Sequence, residues 1–119
     1  MTKHELCTII ATLGETGSRR RLMAICYILG YEGFAPLDAG MYSEPINILL
    51  NELVFDGVLE CFRRGGDYNH RLSVTGEALL QRLGRADINQ VTITELCAQS
   101  GEWLEQVALL RRGWELRYA

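Results

Sequence analysis

The sequence has few of the residues that build metal centres and catalytic sites. It contains only two histidines, and its four cysteines are far apart, with no CxxC or Cys/His ligand spacing. A zinc site is therefore not expected, and the cysteines are interpreted as buried free thiols. No nucleophile–base pair, paired carboxylates or phosphate-binding loop occurs at a recognisable spacing. The sequence predicts a protein that is not an enzyme and holds no metal or other cofactor.

Long apolar runs and targeting signals are also missing. No apolar stretch approaches the length of about 18 residues that a membrane helix needs, and no signal peptide is recognisable. We therefore expect a cytoplasmic protein with reduced thiols and no membrane segment. Of the 119 residues, 48% are hydrophobic and 23% are charged. This balance is typical of one folded domain with a core and argues against wholesale disorder.

Positive charge is scarce overall and unevenly distributed. The formal net charge is −3, whereas a dedicated nucleic-acid binder is more often basic. Between Cys61 and Ala86, however, five basic residues face only two acidic ones, and the segments on both sides are net acidic. Because a local patch can steer binding, the global balance argues only mildly against a nucleic-acid partner.

Helix-capping residues divide the first part of the chain into two helices. Thr2, with Glu5 three residues on, predicts the start of a helix that ends at Gly14. Ser18 predicts the start of a second helix, whose first turn is Arg19–Arg21. Positive charge there opposes the helix dipole. The three arginines therefore either lie on a solvated face or serve an anionic partner.

The segment from Met41 to Leu80 has the order helix, hairpin, helix. Ser43 predicts the start of a third helix that ends at Gly57, and two short strands follow around the turn Arg64-Gly65-Gly66-Asp67. Thr75 then predicts the start of a fourth helix, whose inward residues are Ala78, Leu79 and Leu83. We therefore expect a mainly helical fold with a small β-hairpin, namely a winged helix-turn-helix domain over residues 1–86.

Seven residue strings carry a resemblance to a known family. They are Leu13-Gly14-Glu15, Arg19-Arg20-Arg21-Leu22, Tyr27-Ile28-Leu29, Met41-Tyr42-Ser43, Leu50-Asn51-Glu52-Leu53, Gly57-Val58-Leu59-Glu60 and Arg71-Leu72-Ser73-Val74-Thr75-Gly76-Glu77. Between Ile10 and Leu83 the chain resembles the YwgA-type proteins, a small prokaryotic winged-helix family. That family favours Tyr-Gly-Pro-Tyr-Ser before the third helix, whereas this chain has Ala39-Gly40-Met41-Tyr42-Ser43. The resemblance implies the fold and carries over no catalytic residue.

Residues 87–119 lie beyond this resemblance and are predicted to form a helical extension. Thr92 or Thr94 would open a short helix, and a last helix would cover Glu102 to Leu116. Its apolar residues recur at intervals of four, three and four: Trp103, Val107, Leu110 and Trp114. Such a stripe either packs back on the core or forms the seam of a dimer. We expect a homodimer.

The third helix is a candidate reader of DNA bases. Asn47 and Asn51 lie four apart on its outer face, and an Asn side chain can make a bidentate contact with adenine. The helix contains no Lys or Arg, and Glu44 and Glu52 flank the two amides. Cations for the DNA backbone would then come from the hairpin. The predicted DNA contacts are Ser43, Asn47, Asn51, Arg63, Arg64, Tyr68, His70 and Arg71.

The same helix also supports a different function. Ile48 and Phe55 are seven residues apart and are predicted on its exposed face, among acidic neighbours. An exposed apolar stripe is more typical of a protein interface than of a DNA-reading surface. Two hypotheses therefore stand: a transcriptional regulator that binds double-stranded DNA, and a non-catalytic module that binds a protein partner.

Overall fold

Six α-helices and one β-hairpin make up the part of the chain that the structure describes. The structure is a computed structural model and describes residues 1–35 and 42–118, the last five as backbone only. The elements in chain order are α1 (Lys3–Leu13), α2 (Arg19–Ile28), α3 (Glu44–Phe55), β1 (Leu59–Arg64), β2 (Asp67–Leu72), α4 (Val74–Leu83), α5 (Gln90–Cys97) and α6 (Gly101–Tyr118). The predicted class, mainly helical with a small hairpin, is confirmed. None of the described helices is both long enough and apolar enough to cross a membrane.

The first three helices begin at the predicted capping residues. The Thr2 hydroxyl accepts a hydrogen bond from the Glu5 backbone N–H at 3.1 Å, and the Glu5 carboxylate accepts one from the Thr2 N–H at 2.8 Å. Ser18 and Ser43 cap α2 and α3 by accepting from the backbone N–H three residues on, at 3.0 and 3.4 Å. Local sequence is enough to position these starts, because each cap satisfies a backbone donor that the helix leaves free.

The predicted starts of α4 and α5 are wrong. The N-cap of α4 is Ser73 rather than Thr75, and its hydroxyl accepts from the Gly76 N–H at 2.9 Å. The N-cap of α5 is Asn89, whose side chain accepts from the Thr92 N–H at 3.1 Å. Both regions hold several polar residues that could cap a helix, and packing of the helix on its neighbours selects among them.

One hydrophobic core joins the helices and the hairpin. It includes residues of α1, α2, α3, β1, α5 and α6: Leu6, Ile9, Ile10, Leu22, Ile25, Ile46, Leu50, Leu59, Ile93, Leu96, Leu104 and Ala108. Helix α6 lies along α2. Four residues of the segment 87–119 belong to the same core as residues 1–86. The division of the chain into these two segments therefore stays a prediction from the sequence.

Helix α6 contacts the core through a different face from the predicted stripe. Leu104 and Ala108, four residues apart, are fully buried. The stripe lies mostly away from them: Trp103 is 47% exposed and Leu110 is 74% exposed, Val107 is half-buried, and the Trp114 side chain lies outside the described part. The helix carries two apolar faces, and spacing alone could not tell which of them packs inward.

The connection between α2 and α3 is long for a helix-turn-helix. It covers residues 29–43, whereas the motif usually has a turn of about three or four residues. Phe34 and Ser43 form an isolated antiparallel bridge, and the Ala35 N–H donates to the Tyr42 carbonyl at 2.9 Å. Residues 36–41, which include Ala39, Gly40 and Met41 of the string compared with the YwgA-type family, lie outside the described part.

Two of the four cysteines differ from the prediction that all are buried thiols. Cys7 and Cys26 are buried, whereas Cys61 is exposed on β1 and Cys97 is partly exposed at the end of α5. Burial raises the pKa of Cys26 to about 12, so its thiol stays protonated.

Helix α4 keeps Ala78, Leu79 and Leu83 out of the core, so the prediction that these three residues face inward is wrong. All three are exposed, Leu83 by 61%. The helix instead packs closely against the backbone before β1 through Gly76, where an added Cβ would lie 2.1 Å from the Val58 carbonyl oxygen. Such a short distance to backbone atoms requires glycine.

Replacing Gly76 by Ala should therefore destabilise the protein by about 1–3 kcal/mol, because α4 must move away from Val58 to make room for the methyl group. Urea denaturation gives the free energy of unfolding. Gly113→Ala in α6 is the matched control: a Cβ there meets nothing within 4 Å, so the same change should stabilise the helix by up to about 1 kcal/mol. Equal stabilities for Gly76→Ala and the unmodified protein would contradict the close approach.

Candidate nucleic-acid interface

The hairpin has two different faces. Its turn is Gly65-Gly66, with φ of 60° and 89°, the positive values that a tight two-residue hairpin turn needs. In the register of β1 and β2, Arg63 lies opposite Tyr68, and Arg64 lies opposite Asp67. Because directly opposed residues share a face and successive residues alternate, Arg63 and Tyr68 lie on one face of the hairpin and Arg64 lies on the other.

The loop between α1 and α2 holds the base of the hairpin. The Thr16 N–H donates to the His70 carbonyl at 3.0 Å, and the His70 N–H donates to the Thr16 hydroxyl at 2.9 Å. The Asn69 side-chain oxygen accepts from the Thr16 hydroxyl at 3.1 Å and from the Gly17 N–H at 3.0 Å. Thr16 and Asn69 are buried. These contacts fix β2 next to the start of α2.

Arg19, the first residue of α2, joins three elements at the surface. Its guanidinium donates to the side-chain oxygen of Asn47 at 2.7 Å and to that of Asn51 at 3.3 Å, both on α3. It also lies over the Tyr68 ring, 5.5 Å from the ring centre, and Arg63 lies 5.3 Å from the same centre. We call Arg19, Asn47, Asn51, Arg63 and Tyr68 the Arg19 cluster. It combines two cations, an aromatic ring and two amides on one surface.

The three consecutive arginines of α2 have separate partners. Arg19 belongs to the Arg19 cluster, Arg20 forms an ion pair with Glu105 of α6 at 2.8 Å, and Arg21 donates to the Cys97 carbonyl at 2.9 Å. The sequence left two interpretations of these arginines, a solvated face or an anionic partner. Neither applies to all three arginines, because the three side chains contact different elements. In the sequence Arg19 does not stand out from its neighbours, since its contact with α3 depends on tertiary structure.

Two of the predicted DNA contacts lie on the other face of the hairpin. The Arg64 guanidinium is 2.7 Å from a carboxylate oxygen of Glu15, and Arg71 is 3.8 Å from Glu15 and 2.8 Å from Glu60. Both guanidinium groups also lie over the Phe62 ring, at 5.2 and 4.7 Å from its centre. These two arginines are already paired with carboxylates, and they lie on the opposite side of the hairpin from Arg63.

Two further predicted contacts lie inside the molecule. Ser43 is fully buried and uses its hydroxyl to cap α3. His70 is also fully buried, and neither ring nitrogen has a hydrogen-bond partner among the described residues. Burial, with Arg19 nearby, lowers the pKa of His70 to about 4. The ring is therefore neutral near pH 7, and neither side chain is positioned to touch DNA.

The acidic residues of α3 are partly compensated by other elements. Lys3 of α1 lies 3.0 Å from Glu52 and 3.9 Å from Asp56. The Tyr42 hydroxyl donates to the Glu44 carboxylate. The helix has no Lys or Arg of its own, so the cations beside its outer face, Lys3 and Arg19, belong to α1 and α2. These contacts join residues that are distant in the chain, and no local sequence pattern indicates them.

A second surface of α3 is apolar. Ile48 is 46% exposed and Phe55 is 91% exposed, so the prediction that both lie on the outer face is confirmed. Helices α1, α3 and α4 form an apolar groove, and one of its lining residues, Asp56, follows Phe55 in the chain. Its lining is Lys3, His4, Cys7, Leu53, Asp56, Val58, Gly76, Leu79, Leu80 and Leu83. The leucines of α4 therefore line this apolar groove, although they lie outside the core.

No family profile, no curated protein and no solved structure matches this chain. The resemblance to the YwgA-type family therefore stays a prediction made from residue strings. Within residues 1–35 and 42–118, no three His, Cys, Asp or Glu side chains are grouped closely enough to hold a metal ion.

Replacing His70 by Leu should make the stability of the protein less sensitive to acid. The pKa of His70 is about 4 when folded and 6.5 for the free side chain, so the unfolded chain binds the proton more readily. The stability due to neutral His70 is present above pH 6.5 and is lost as the pH falls towards 4. Between about pH 7.5 and pH 5, the unmodified protein should lose about 2 kcal/mol more unfolding free energy than the variant.

Urea denaturation at the two pH values gives the loss of unfolding free energy for each protein. Because each protein is compared with itself at the higher pH, a change in stability that does not depend on pH cancels. Equal losses in both proteins would show that the His70 ring can take up a proton without unfolding.

Proposed function

We propose that this chain is a winged helix-turn-helix protein that binds double-stranded DNA and regulates transcription. In this proposal α3 enters the major groove and the hairpin lies along the phosphate backbone. One observation carries it, namely that Arg19 connects the Asn47 and Asn51 amides of α3 to the Tyr68 ring on the hairpin, which Arg63 also contacts. Base-contacting and phosphate-contacting groups thereby share one surface.

The charge of that surface supports the proposal better than the net charge does. Arg63 has no carboxylate partner among the described residues, and the donors of Arg19 contact neutral amides rather than an acid. Guanidinium groups without a carboxylate partner can bind phosphates. Neutralising a phosphate in this way favours binding, because it releases the counterions held by the DNA. Lys3 engages Glu52, which weakens the repulsion between α3 and the DNA backbone.

Arg63→Ala should weaken binding to duplex DNA several-fold, because it removes a cation from the surface that carries α3. Arg64→Ala is the matched control: Arg64 is the next residue on the hairpin, but it is paired with Glu15 on the other face. It should change the affinity much less. Fluorescence anisotropy at two salt concentrations measures both. The slope of log K against log salt should become shallower by about one for each phosphate that is no longer neutralised.

The probes are a random duplex and the DNA upstream of the gene itself. Failure of the unmodified protein to bind either probe at low salt would remove the DNA-binding proposal. An equal reduction in affinity for both variants would instead remove the division of the hairpin into two faces.

A second candidate function, binding of a protein partner, is favoured by the exposure of Phe55. A phenylalanine that is 91% exposed, on a helix that also contributes to an apolar groove, is of the kind that partners cover. Such an interface would depend weakly on salt, in contrast to contacts with phosphates. Under this alternative the chain would be an adaptor or an assembly factor.

We also propose that the protein is a homodimer, joined through the outward face of α6. Trp103 and Leu110 are exposed on this face, and a two-fold axis would bring the same residues of two copies together. Two DNA half-sites would then be spaced by the dimer.

Leu110→Glu should convert this dimer to a monomer, because it places two carboxylates in the seam and leaves the core residue Leu104 unchanged. Sedimentation equilibrium at micromolar concentrations gives the mass of each form. A monomeric unmodified protein at all concentrations would refute the dimer, and a dimeric variant would move the interface away from α6.

A further inference from the structure

We infer that the Arg19 cluster selects guanine over adenine in the major groove. The inference rests on the proposed DNA binding and adds the base that α3 prefers. It differs from the expectation based on sequence, in which Asn47 and Asn51 would contact adenine, and the difference comes from Arg19 alone.

An asparagine that recognises adenine needs both halves of its amide. The oxygen accepts from the adenine N6 amino group while the nitrogen donates to N7. In this protein the oxygens of Asn47 and Asn51 already accept from Arg19, at 2.7 and 3.3 Å. A hydrogen bond from a charged donor is stronger than one between neutral groups. Each oxygen has a second lone pair, but an adenine amino group that used it would lie beside the donor hydrogens of the guanidinium and be repelled by them.

Arg19 also fixes the orientation of the two amides. A guanidinium has donors and no acceptor. Turning either amide over would bring its NH2 group against those donors. The Asn47 and Asn51 nitrogens therefore stay directed away from Arg19, and neither has a hydrogen-bond partner in the described part of the chain.

The groups that this surface can offer to a base are then mainly donors. They are the two amide nitrogens and the remaining N–H groups at the end of the Arg19 guanidinium. The nearest acceptors on α3 are engaged, Glu52 by Lys3 and Glu44 by Tyr42. In the major groove a G·C pair presents two adjacent acceptors on guanine, N7 and O6, whereas in an A·T pair the adenine amino donor lies between the adenine N7 and thymine O4 acceptors. A surface of donors matches guanine and opposes the adenine amino group.

Fluorescence anisotropy with three duplexes of equal length tests the inference. One contains only G·C pairs, the second contains only A·T pairs, and the third repeats the first with 7-deazaguanine, which keeps the base pairing but removes the N7 acceptor. The unmodified protein should prefer the first duplex over the second by about tenfold, as expected for one good pairing with a base. The third duplex should lose most of that preference.

Arg19→Ala supplies the second comparison, because it frees both amide oxygens. It should reduce the preference for G·C over A·T to less than about threefold, a small part of what one bidentate contact gives. Arg20→Ala is the matched control, since Arg20 is the next residue of α2 but pairs with Glu105 of α6. It should keep the full preference.

Each outcome separates this inference from the proposal beneath it. Equal affinity for the G·C and A·T duplexes, or a preference for A·T, would overturn guanine selection and leave DNA binding intact. A G·C preference that 7-deazaguanine does not reduce would also overturn it, because DNA shape would then be the cause. No binding to any duplex at low salt would overturn the proposed function itself.

Discussion

The position of the whole candidate interface depends on the buried hydrogen bonds between Thr16 and β2. Thr16 exchanges hydrogen bonds with the backbone of His70, and Asn69 joins the same network from its side chain. Because these groups are buried, leaving any of them without a partner would be costly. The network therefore holds the hairpin at one place beside α2. The approach of Tyr68 to Arg19 follows from that placement.

The electrostatic character of α3 comes from its neighbours rather than from its own residues. The helix sequence is acidic and partly apolar, and on its own it would repel a phosphate backbone. Folding brings Lys3 to Glu52 and Arg19 to the two asparagines. A helix without a single Lys or Arg can in this way present a surface with local positive charge. The net charge of a chain is a poor guide to such a surface.

Features that depend on a few adjacent residues could be predicted from the sequence. The caps at Thr2, Ser18 and Ser43 and the Gly65-Gly66 turn satisfy backbone groups within one turn of chain. The exposure of Phe55 followed from helical spacing alone. Predictions failed where two faces of one helix were both apolar, as in α6. For α4 the close approach of Gly76 to Val58 decided the packing.

The candidate site was predicted less completely than the fold. Asn47, Asn51, Arg63 and Tyr68 share a surface, as expected, but strand alternation puts Arg64 on the other face of the hairpin. The alternation of side chains along a strand already separates Arg63 from Arg64, because the turn residues fix the register of the hairpin. No sequence pattern indicates the contact between Arg19 and Asn47, because the two residues are 28 positions apart in the chain.

The bridging position of Arg19 makes α3 and the hairpin parts of one thermodynamic unit. A ligand that draws the guanidinium away from Tyr68 also changes what the amides of α3 can bind, and a base that engages those amides changes the environment of the hairpin. Such coupling is reciprocal: binding at either site changes the binding free energy at the other by the same amount, because both sites contact Arg19. In the proposed complex with DNA, affinity for the backbone and choice of base would therefore not be independent properties, and a substitution that changes one would alter the other.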